Sequence, residues 1–473
     1  MKLVPSATDL TLSMMHHINI LVRATTLVIT VAIIATVVFI HLALGDGMGQ
    51  FGPVCGAVTT NSAVVSIGLR EFGSDVRLVV SRNEDLQDPI HLKVVKGAER
   101  AGRTVKMTIR NLQSDTRYYY GIEVDGKIDP KTTGQFKTFP EGPLSFSFAF
   151  GNSVKYGRLN QSALLAAIEQ DILFFLSTGD LFYADLSENK LDVFRKAYHE
   201  AFQLEPLRKL CRKVPLVYIW DDHDYGTDNS DKYSPSRLAS RKVYQEIVPH
   251  YPLISGQGDV PIYQAFTVGR VRFILTDLRS ERSSNNALDG PNKTMMGKEQ
   301  LEWFMKELKK SSRSYALVIW VSSVTWTARA KKGADHWGGF AYERNMIANF
   351  IKRHRIHNLF VVSGDAHSVA ADDGRNSDYA DGGGAPLPVI IAAPLDNDHT
   401  SVKGGPYSEG VYRPKKGENC YGLVTIRDEG SKVIVTFSGR NQEQKEHILL
   451  IHSIKAPPPE DLESDRNSKG AEK

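Results

Sequence analysis

From residue 141 onward, short apolar runs alternate with amphipathic segments that are long enough to form helices. Runs such as PLVYIW and NLFVVSG are typical of buried strands, whereas GKEQLEWFMKELKKS and ERNMIANFIKRH carry their apolar residues at helical spacing. Strands that alternate with helices are typical of α/β domains. The pattern therefore predicts an α/β domain over residues 141–454.

Residues 51–140 have a different pattern, in which short β-rich runs are separated by Gly, Asp and Pro. The runs are AVVSIGL, VRLVVS, TVKMTIRNL, TRYYYGIEV and GQFKTF. Several short strands at this spacing predict a small antiparallel β-sandwich. Because no catalytic cluster occurs in these runs, we expect a structural or docking role for this part of the chain.

An apolar segment, residues 24–45, contains no Asp, Glu, Lys or Arg and is long enough to cross a bilayer. Lys2 and Arg23 precede it, so the positive-inside tendency predicts a membrane anchor with residues 1–23 in the cytoplasm. A cleaved signal peptide is the alternative, because residues 43–45 offer a small-x-small cleavage pattern. Both interpretations place the folded part outside the cytoplasm or in a lumen, and the first makes the membrane a partner.

Overall composition excludes other classes of protein. A hydrophobic content of 41% is enough for a sizeable core, and 58 basic against 54 acidic side chains give no argument for nucleic-acid binding. Three scattered cysteines do not form a disulfide framework. The charged, proline-led tail, residues 455–473, is expected to be disordered, and Asn160 and Asn292 begin triplets that would accept N-glycans in an exported protein.

Polar side chains follow at least five of the predicted strands, at the edge of an α/β sheet where reactive groups gather. These side chains are Asn152 and Ser153; Asp180, Tyr183 and Asp185; Asp222, His223 and Asp224; Asp277, Arg279 and Arg282; and Asp365 and His367. Each motif alone also fits a capped turn or an ion pair. Together, their carboxylate, phenol and imidazole groups form a ligand set for hard or borderline metals.

The acidic stretch DDHDYGTDNSD, residues 221–231, is the most crowded of these strand ends. An EF-hand loop starting at Asp222 would place Gly226 and Tyr233 where acidic ligands are required, which excludes it. The chain also lacks the His-Glu-x-x-His pattern of zincins, a phosphate-binding P-loop and a Gly-x-Ser-x-Gly nucleophile motif. These absences leave the strand-end metal site as the favoured interpretation.

Five motifs, GDLFYAD, VYIWDDHDYGTDN, TDLRSER, GKEQLEWFMKEL and VVSGDAH, resemble in order and spacing the PhoD-like alkaline phosphatases of the calcineurin-like metallophosphatase superfamily. LQSDTRYYYGIEVDGK resembles the fibronectin-like sandwich of that family, so the resemblance covers residues 51–454. It implies a four-layer αββα sandwich preceded by a small fibronectin-like β-sandwich. Purple acid phosphatases are the alternative, but Trp-Asp-Asp-His and Gly-Asp-x-His favour the PhoD-like branch.

The resemblance also implies a dinuclear metal site. It makes Asp180 the carboxylate that bridges two metals, with Tyr183 and His367 on a ferric ion. It assigns Asp222 and Asp365 to a second metal, commonly calcium in this family.

Further roles follow from the same resemblance. His223 would stabilise the phosphoryl oxygens or protonate the leaving alkoxide, and Arg279 would contact phosphate. Asp185 and Asp224 are expected to support these groups from behind. Residues 330–344, AKKGADHWGGFAYER, are expected to form a mobile loop at the mouth of the site that governs specificity. The lysine pairs at 331–332 and 415–416 fit either an anionic substrate or solvated surface.

The chain departs from the family pattern at Asn152 and Ser153, where the family often has Ser-Cys. A hydroxyl replaces poorly the thiolate expected on iron, although Asn152 could supply an amide oxygen. The predicted function is hydrolysis of phosphomonoesters or phosphodiesters by a metal-bound hydroxide, with Ca and Fe as the expected metals. An exported phosphate-ester-binding protein without turnover is the alternative.

Overall fold

The computed structural model describes residues 49–96, 102–155, 162–398 and 401–456. The predicted membrane anchor at 24–45, the segment before it, Asn160 and nearly all of the predicted tail lie outside these residues. Within the described ranges, no helix is both long and apolar enough to cross a membrane.

The described strands carry the labels β1 to β21. They are β1 (Gly49–Gly56), β2 (Ala63–Leu69), β3 (Asp75–Ser81), β4 (Ile90–His91), β5 (Val95–Lys96), β6 (Thr104–Ile109), β7 (Arg117–Val124), β8 (Lys127–Lys137), β9 (Phe146–Gly151), β10 (Phe175–Ser177), β11 (Leu216–Tyr218), β12 (Gln264–Val268), β13 (Val271–Thr276), β14 (Leu317–Ser322), β15 (Leu359–Ser363), β16 (Val369–Asp372), β17 (Val389–Ile391), β18 (Val411–Tyr412), β19 (Cys420–Asp428), β20 (Lys432–Asn441) and β21 (Glu446–Lys455).

The described helices lie mainly in the second part of the chain. They are α1 (Ser162–Ile168), α2 (Leu191–Gln203), α3 (Glu205–Lys213), α4 (Asp222–Tyr225), α5 (Arg237–Ile247), α6 (Lys298–Ser314) and α7 (Ala341–Arg353), with a 3-10 helix at Trp337–Phe340 directly before α7.

Two large sheets organise the α/β part. The first has the strand order β21-β20-β19-β9-β10-β11-β1-β2-β6, in which β9, β10, β11 and β1 run parallel to one another. The second has the order β12-β13-β14-β15-β17-β16-β18, with β13, β14, β15 and β17 parallel. The predicted mixed α/β fold is therefore confirmed.

Aromatic side chains fill the space between the two sheets. Phe148 of the first sheet lies 5.5 Å from Phe273 of the second between ring centroids, and Phe174, just before β10, lies 5.7 Å from Phe266. The next residue along β13, Ile274, belongs to a second core together with buried side chains of α6 and α7. Because neighbouring residues of a strand point to opposite faces, α6 and α7 cover the outer face of the second sheet.

The predicted β-sandwich over residues 51–140 is present only in part. Strands β3, β4, β5, β7 and β8 form a separate antiparallel sheet, whereas β1, β2 and β6 extend the first large sheet. Gly56 pairs in parallel with Leu216, and a Cβ at position 56 would lie 2.6 Å from the Leu216 carbonyl oxygen. Run patterns could not predict this pairing because Leu216 is far along the chain. The domain boundaries themselves stay predictions.

Candidate metal centre

The strand-end side chains come together where the two sheets meet. Gly364, directly after β15, shows how closely they approach: a Cβ there would lie 2.7 Å from the Thr178 hydroxyl and 2.8 Å from the Asn152 amide nitrogen. Thr178 follows β10 and Asn152 follows β9. Only glycine therefore allows this contact between strands of the two sheets.

Metal-ligating atoms converge in two groups that share one carboxylate. The first contains Asp180, Asp222 and His223, and the second contains Asp180, Asp365 and His367; within each group the ligand atoms all lie within 4.8 Å of one another. Asp180 thus has the position that a carboxylate shared by two ions requires.

Tyr183 and Ser153 lie beside the second group. The Tyr183 hydroxyl donates to Asp180 Oδ2 at 3.0 Å and lies 3.4 Å from His367 Nε2. Ser153 Oγ is also 3.4 Å from His367 Nε2. The hydroxyl of Ser153 therefore lies beside His367, at the position where the family often has a cysteine thiolate.

Four of the candidate ligands have left-handed backbone conformations, which are unfavourable for residues other than glycine. Their φ angles are +64° at Ser153, +51° at Asp180, +60° at Asp365 and +51° at His367. Each such conformation costs about 1–3 kcal/mol and persists only where the surrounding fold imposes it. The fold therefore uses strained backbone to aim these side chains into one space.

Several buried polar atoms in this space have no hydrogen-bond partner in the described structure. They are Asp180 Oδ1, Asp222 Oδ1, Asp365 Oδ2 and both amide atoms of Asn152. A buried carboxylate oxygen without a partner is costly, and a bound cation offsets that cost. Three carboxylates, an amide, a phenol and imidazoles match the ligand preferences of hard and borderline ions, so these residues fit a dinuclear metal site.

Burial dominates the electrostatics of the carboxylates. Burial raises the pKa of Asp180 well above its usual range, and the neighbouring charge of Asp222 adds to the effect. Burial also raises the pKa of Asp365 to about 6, although Lys403 opposes the shift. Burial acts in the same direction on Asp222, but the charges of Arg279, His223 and Lys403 together outweigh it and hold that pKa below its usual range. The cluster is thus short of positive charge at Asp180.

Arg279, for which the resemblance implied a phosphate contact, is fully buried between carboxylates. Its guanidinium donates to Asp221 at 2.6 and 2.9 Å and to Asp335 at 3.0 and 2.8 Å. It also lies 3.5 Å from Asp222 Oδ1. This geometry does not support a direct phosphate contact, because four hydrogen bonds to protein already hold the guanidinium.

His223 is held by Asp185. The His223 Nδ1 atom lies 2.6 Å from Asp185 Oδ1, and its ring stacks on Tyr183 at 4.0 Å between centroids. Burial alone would lower the pKa of His223, but the charges of Asp222 and Asp185 outweigh burial and raise it. Asp185 and Tyr183 therefore fix the imidazole beside the cluster.

Asp224 lies behind the cluster. It accepts hydrogen bonds from the backbone N–H groups of Phe182 and Asp221, both at 3.2 Å, so it braces the loop that carries the ligands. Asp277 likewise holds the indole of Trp220 at 2.9 Å rather than facing the ligands.

Sequence reasoning missed Asp221 and Lys403. Asp221 accepts the bonds from Arg279, and Lys403 Nζ donates to Asp365 Oδ1 at 2.5 Å. In the sequence, Asp221 is one of five aspartates in an acidic stretch, with no feature that separates it from the others. Lys403 belongs to no recognisable motif. The expectation of a mobile loop at residues 330–344 is wrong for Trp337, which is fully buried and donates to Ser322 Oγ at 3.1 Å.

Comparison with known proteins agrees with this geometry. A family model for PhoD-like phosphatase matches residues 148–403. The chain belongs to the PhoD-like phosphatase family. Alkaline phosphatase D of Bacillus subtilis (strain 168) is 24% identical over an alignment of 382 residues, and the match covers 69% of this chain and 65% of that relative. The match thus spans less than two thirds of the relative's length.

The solved structure of PhoD is also similar to this protein, with a TM-score of 0.68 and 17% sequence identity. The match covers 90% of this chain and 98% of that chain, and at this identity it shows a common fold. The prediction of a PhoD-like family member is therefore confirmed.

Proposed function

We propose that this protein is a metal-dependent hydrolase of phosphate esters with a dinuclear site. The observation that carries the proposal is the set of buried oxygens without hydrogen-bond partners on Asp180, Asp222 and Asp365, gathered around one shared carboxylate. Membership in the PhoD-like phosphatase family supports the same class of reaction.

The residues divide between two metal positions. Asp180 would bridge them, Tyr183 and His367 would complete one, and Asp222 and Asp365 would complete the other. Bound ions would supply Lewis-acid stabilisation of the phosphoryl oxygens and would activate a water molecule.

The chain's own contribution to the reaction centres on His223. Phosphate-ester hydrolysis builds negative charge on the phosphoryl oxygens and on the leaving oxygen. A protonated His223, held at 2.6 Å by Asp185, can donate a hydrogen bond to the first or a proton to the second. Its other ring nitrogen, Nε2, lies 3.8 Å from Asp228 Oδ1, beyond hydrogen-bond distance.

Ser153 affects the choice of metal. A hydroxyl at this position is a weaker ligand for iron than a thiolate, so the site is expected to accept calcium or another oxygen-preferring ion more readily. Asn152, whose amide atoms are buried without partners, is the neighbouring group that can supply an oxygen ligand.

Hydrolysis of p-nitrophenyl phosphate and of its bis ester, measured with calcium and iron and again after chelation, tests the proposal. We expect release of p-nitrophenol that chelation abolishes and that Asp180→Asn reduces together with metal content. Asp192→Asn, at a side chain that is 93% exposed, is the matched control and should change neither. A metal-loaded protein that binds these esters without hydrolysing either would instead support the binding protein without turnover.

A further inference from the structure

A cavity of about 760 Å³ adjoins the candidate metal ligands. Side chains from Arg329 to His336 line one wall and residues 402–406 line the other, with Asp228 and Asn229 at the end near the ligands; the lining residues of the first wall are Arg329, Lys331, Ala334, Asp335 and His336. Asn229 donates its backbone N–H to Asp222 Oδ2 at 2.7 Å. Lys403 lines the cavity and contacts Asp365. The cavity is therefore continuous with the proposed site.

Positive charges that are not neutralised also line this cavity. Arg329 and Lys331 are exposed, and neither side chain has an ion pair or hydrogen bond with the described residues. The carboxylate of Asp335, by contrast, is fully engaged by Arg279 and Asn285. Among the described residues that line the cavity, Asp228 is thus the one acidic side chain left to oppose the two cations.

The backbone that carries Arg329 and Lys331 is fixed. Ala328 forms a parallel bridge with Gly405, and the Gly405 N–H donates to the Thr327 carbonyl at 2.7 Å. The Lys331 N–H donates to the Gly338 carbonyl at 2.9 Å. Both walls are therefore tied together, and the two cations are attached to a rigid frame at the rim.

His336 adds a neutral hydrogen-bonding group to the lining of the cavity. Its Nδ1 accepts the backbone N–H of Gly338 at 3.0 Å, which leaves the Nε2–H to donate. Burial lowers the pKa of His336 to about 4, and the nearby charges of Lys331 and Lys403 act in the same direction. The ring is therefore uncharged at neutral pH, so it offers a hydrogen bond without adding charge to the cavity.

We propose that this cavity is a subsite for a second anionic group of the substrate. The inference rests on the proposed function: one phosphoryl group would occupy the metal centre, and its leaving group would extend through the cavity. Arg329 and Lys331 would then face a further phosphate or carboxylate, which their free hydrogen-bond donors can bind. The preferred substrates are thus phosphate esters whose leaving group carries another negative charge, rather than esters of neutral alcohols.

Matched pairs of ligands test the subsite. Alkanediol bisphosphates with four, six and eight carbons are compared with the alkyl monophosphates of equal length, by phosphate release from the metal-loaded protein. The corresponding bisphosphonates and alkylphosphonates, which are not hydrolysed, are compared by isothermal titration calorimetry. We expect at least one length of bisphosphate to have a kcat/KM about tenfold above its monophosphate, equivalent to about 1.4 kcal/mol.

The double variant Arg329→Gln/Lys331→Gln should lose this preference while keeping the rate on the alkyl monophosphates. Lys306→Gln/Lys310→Gln, which removes the same charge from the exposed face of α6, should keep the preference. Equal binding of bisphosphonate and alkylphosphonate at every length, or a preference that survives the double variant, would overturn the subsite. Preferential binding without any hydrolysis would support the subsite and reject the proposed function, so the two failures are distinguishable.

Discussion

Replacing Arg279 with methionine is expected to destabilise the fold before it affects substrate binding. Methionine keeps most of the length of the side chain but removes the positive charge that pairs with the buried carboxylates of Asp221 and Asp335. Removing one member of a buried ion pair costs about 3–5 kcal/mol, because the remaining charge has no compensation. The same order is expected for Arg279→Met, since the guanidinium is fully buried and makes four hydrogen bonds to these two carboxylates.

Chemical unfolding at pH 8, with chelator and with excess calcium, measures this loss. Arg375→Met is the matched control, because its side chain is 67% exposed and its ion pairs should contribute less than about 1 kcal/mol. Calcium should restore more stability to Arg279→Met than to the wild type, since the carboxylate cluster then has fewer positive partners. An unfolding free energy within about 1 kcal/mol of the wild type, with a raised KM at unchanged kcat, would refute this reasoning and assign Arg279 to phosphate.

Other substitutions separate the roles of the remaining residues. His223→Ala should lower kcat by roughly 10²–10⁴-fold with metal content retained by elemental analysis, and unchanged turnover would remove it from the mechanism. Ser153→Cys should increase the iron retained per chain, because a thiolate beside His367 is a stronger ligand; unaltered iron content would show that position 153 does not reach the metal. Burial lowers the pKa of His250 from 6.5 to about 4 in the folded protein. Protonation below pH 6.5 therefore favours the unfolded chain, and the free energy of unfolding falls as the pH drops from 6.5 towards 4. His250→Asn should therefore reduce the fall in unfolding free energy between pH 7.5 and 5 by about 2 kcal/mol, and an identical fall in both proteins would contradict the assignment.

The candidate ligands could be predicted from the sequence because their position follows from the topology of parallel sheets. Asp180, Asp222 and Asp365 each come shortly after an apolar run, and the carboxyl ends of parallel strands lie at one edge. The motif resemblance then assigned roles to these residues. What the pattern could not predict is which of the five aspartates in residues 221–231 faces a metal and which faces an arginine.

Contacts between distant segments account for the rest. Asp221 differs from Asp222 in accepting two hydrogen bonds from Arg279, which follows the end of β13. The pairing of β1 with β11 likewise depends on a single close approach at Gly56, for which the apolar runs of residues 51–140 give no indication. Local patterns determine strands and helices, whereas these contacts depend on which strands lie side by side in the folded sheets.

The two large sheets approach closely at Gly364, and this has a consequence for the stability of the α/β part. Asp180 extends from the first large sheet, whereas Asp365 and His367 extend from the second, so an ion bound by both groups would cross-link the two halves of the core. Ligand binding at 100 times the dissociation constant adds about 2.7 kcal/mol to folding stability. In this protein that increment would stabilise the contact between the two sheets. Bound ions would thus hold the sheets together in addition to their part in the proposed reaction.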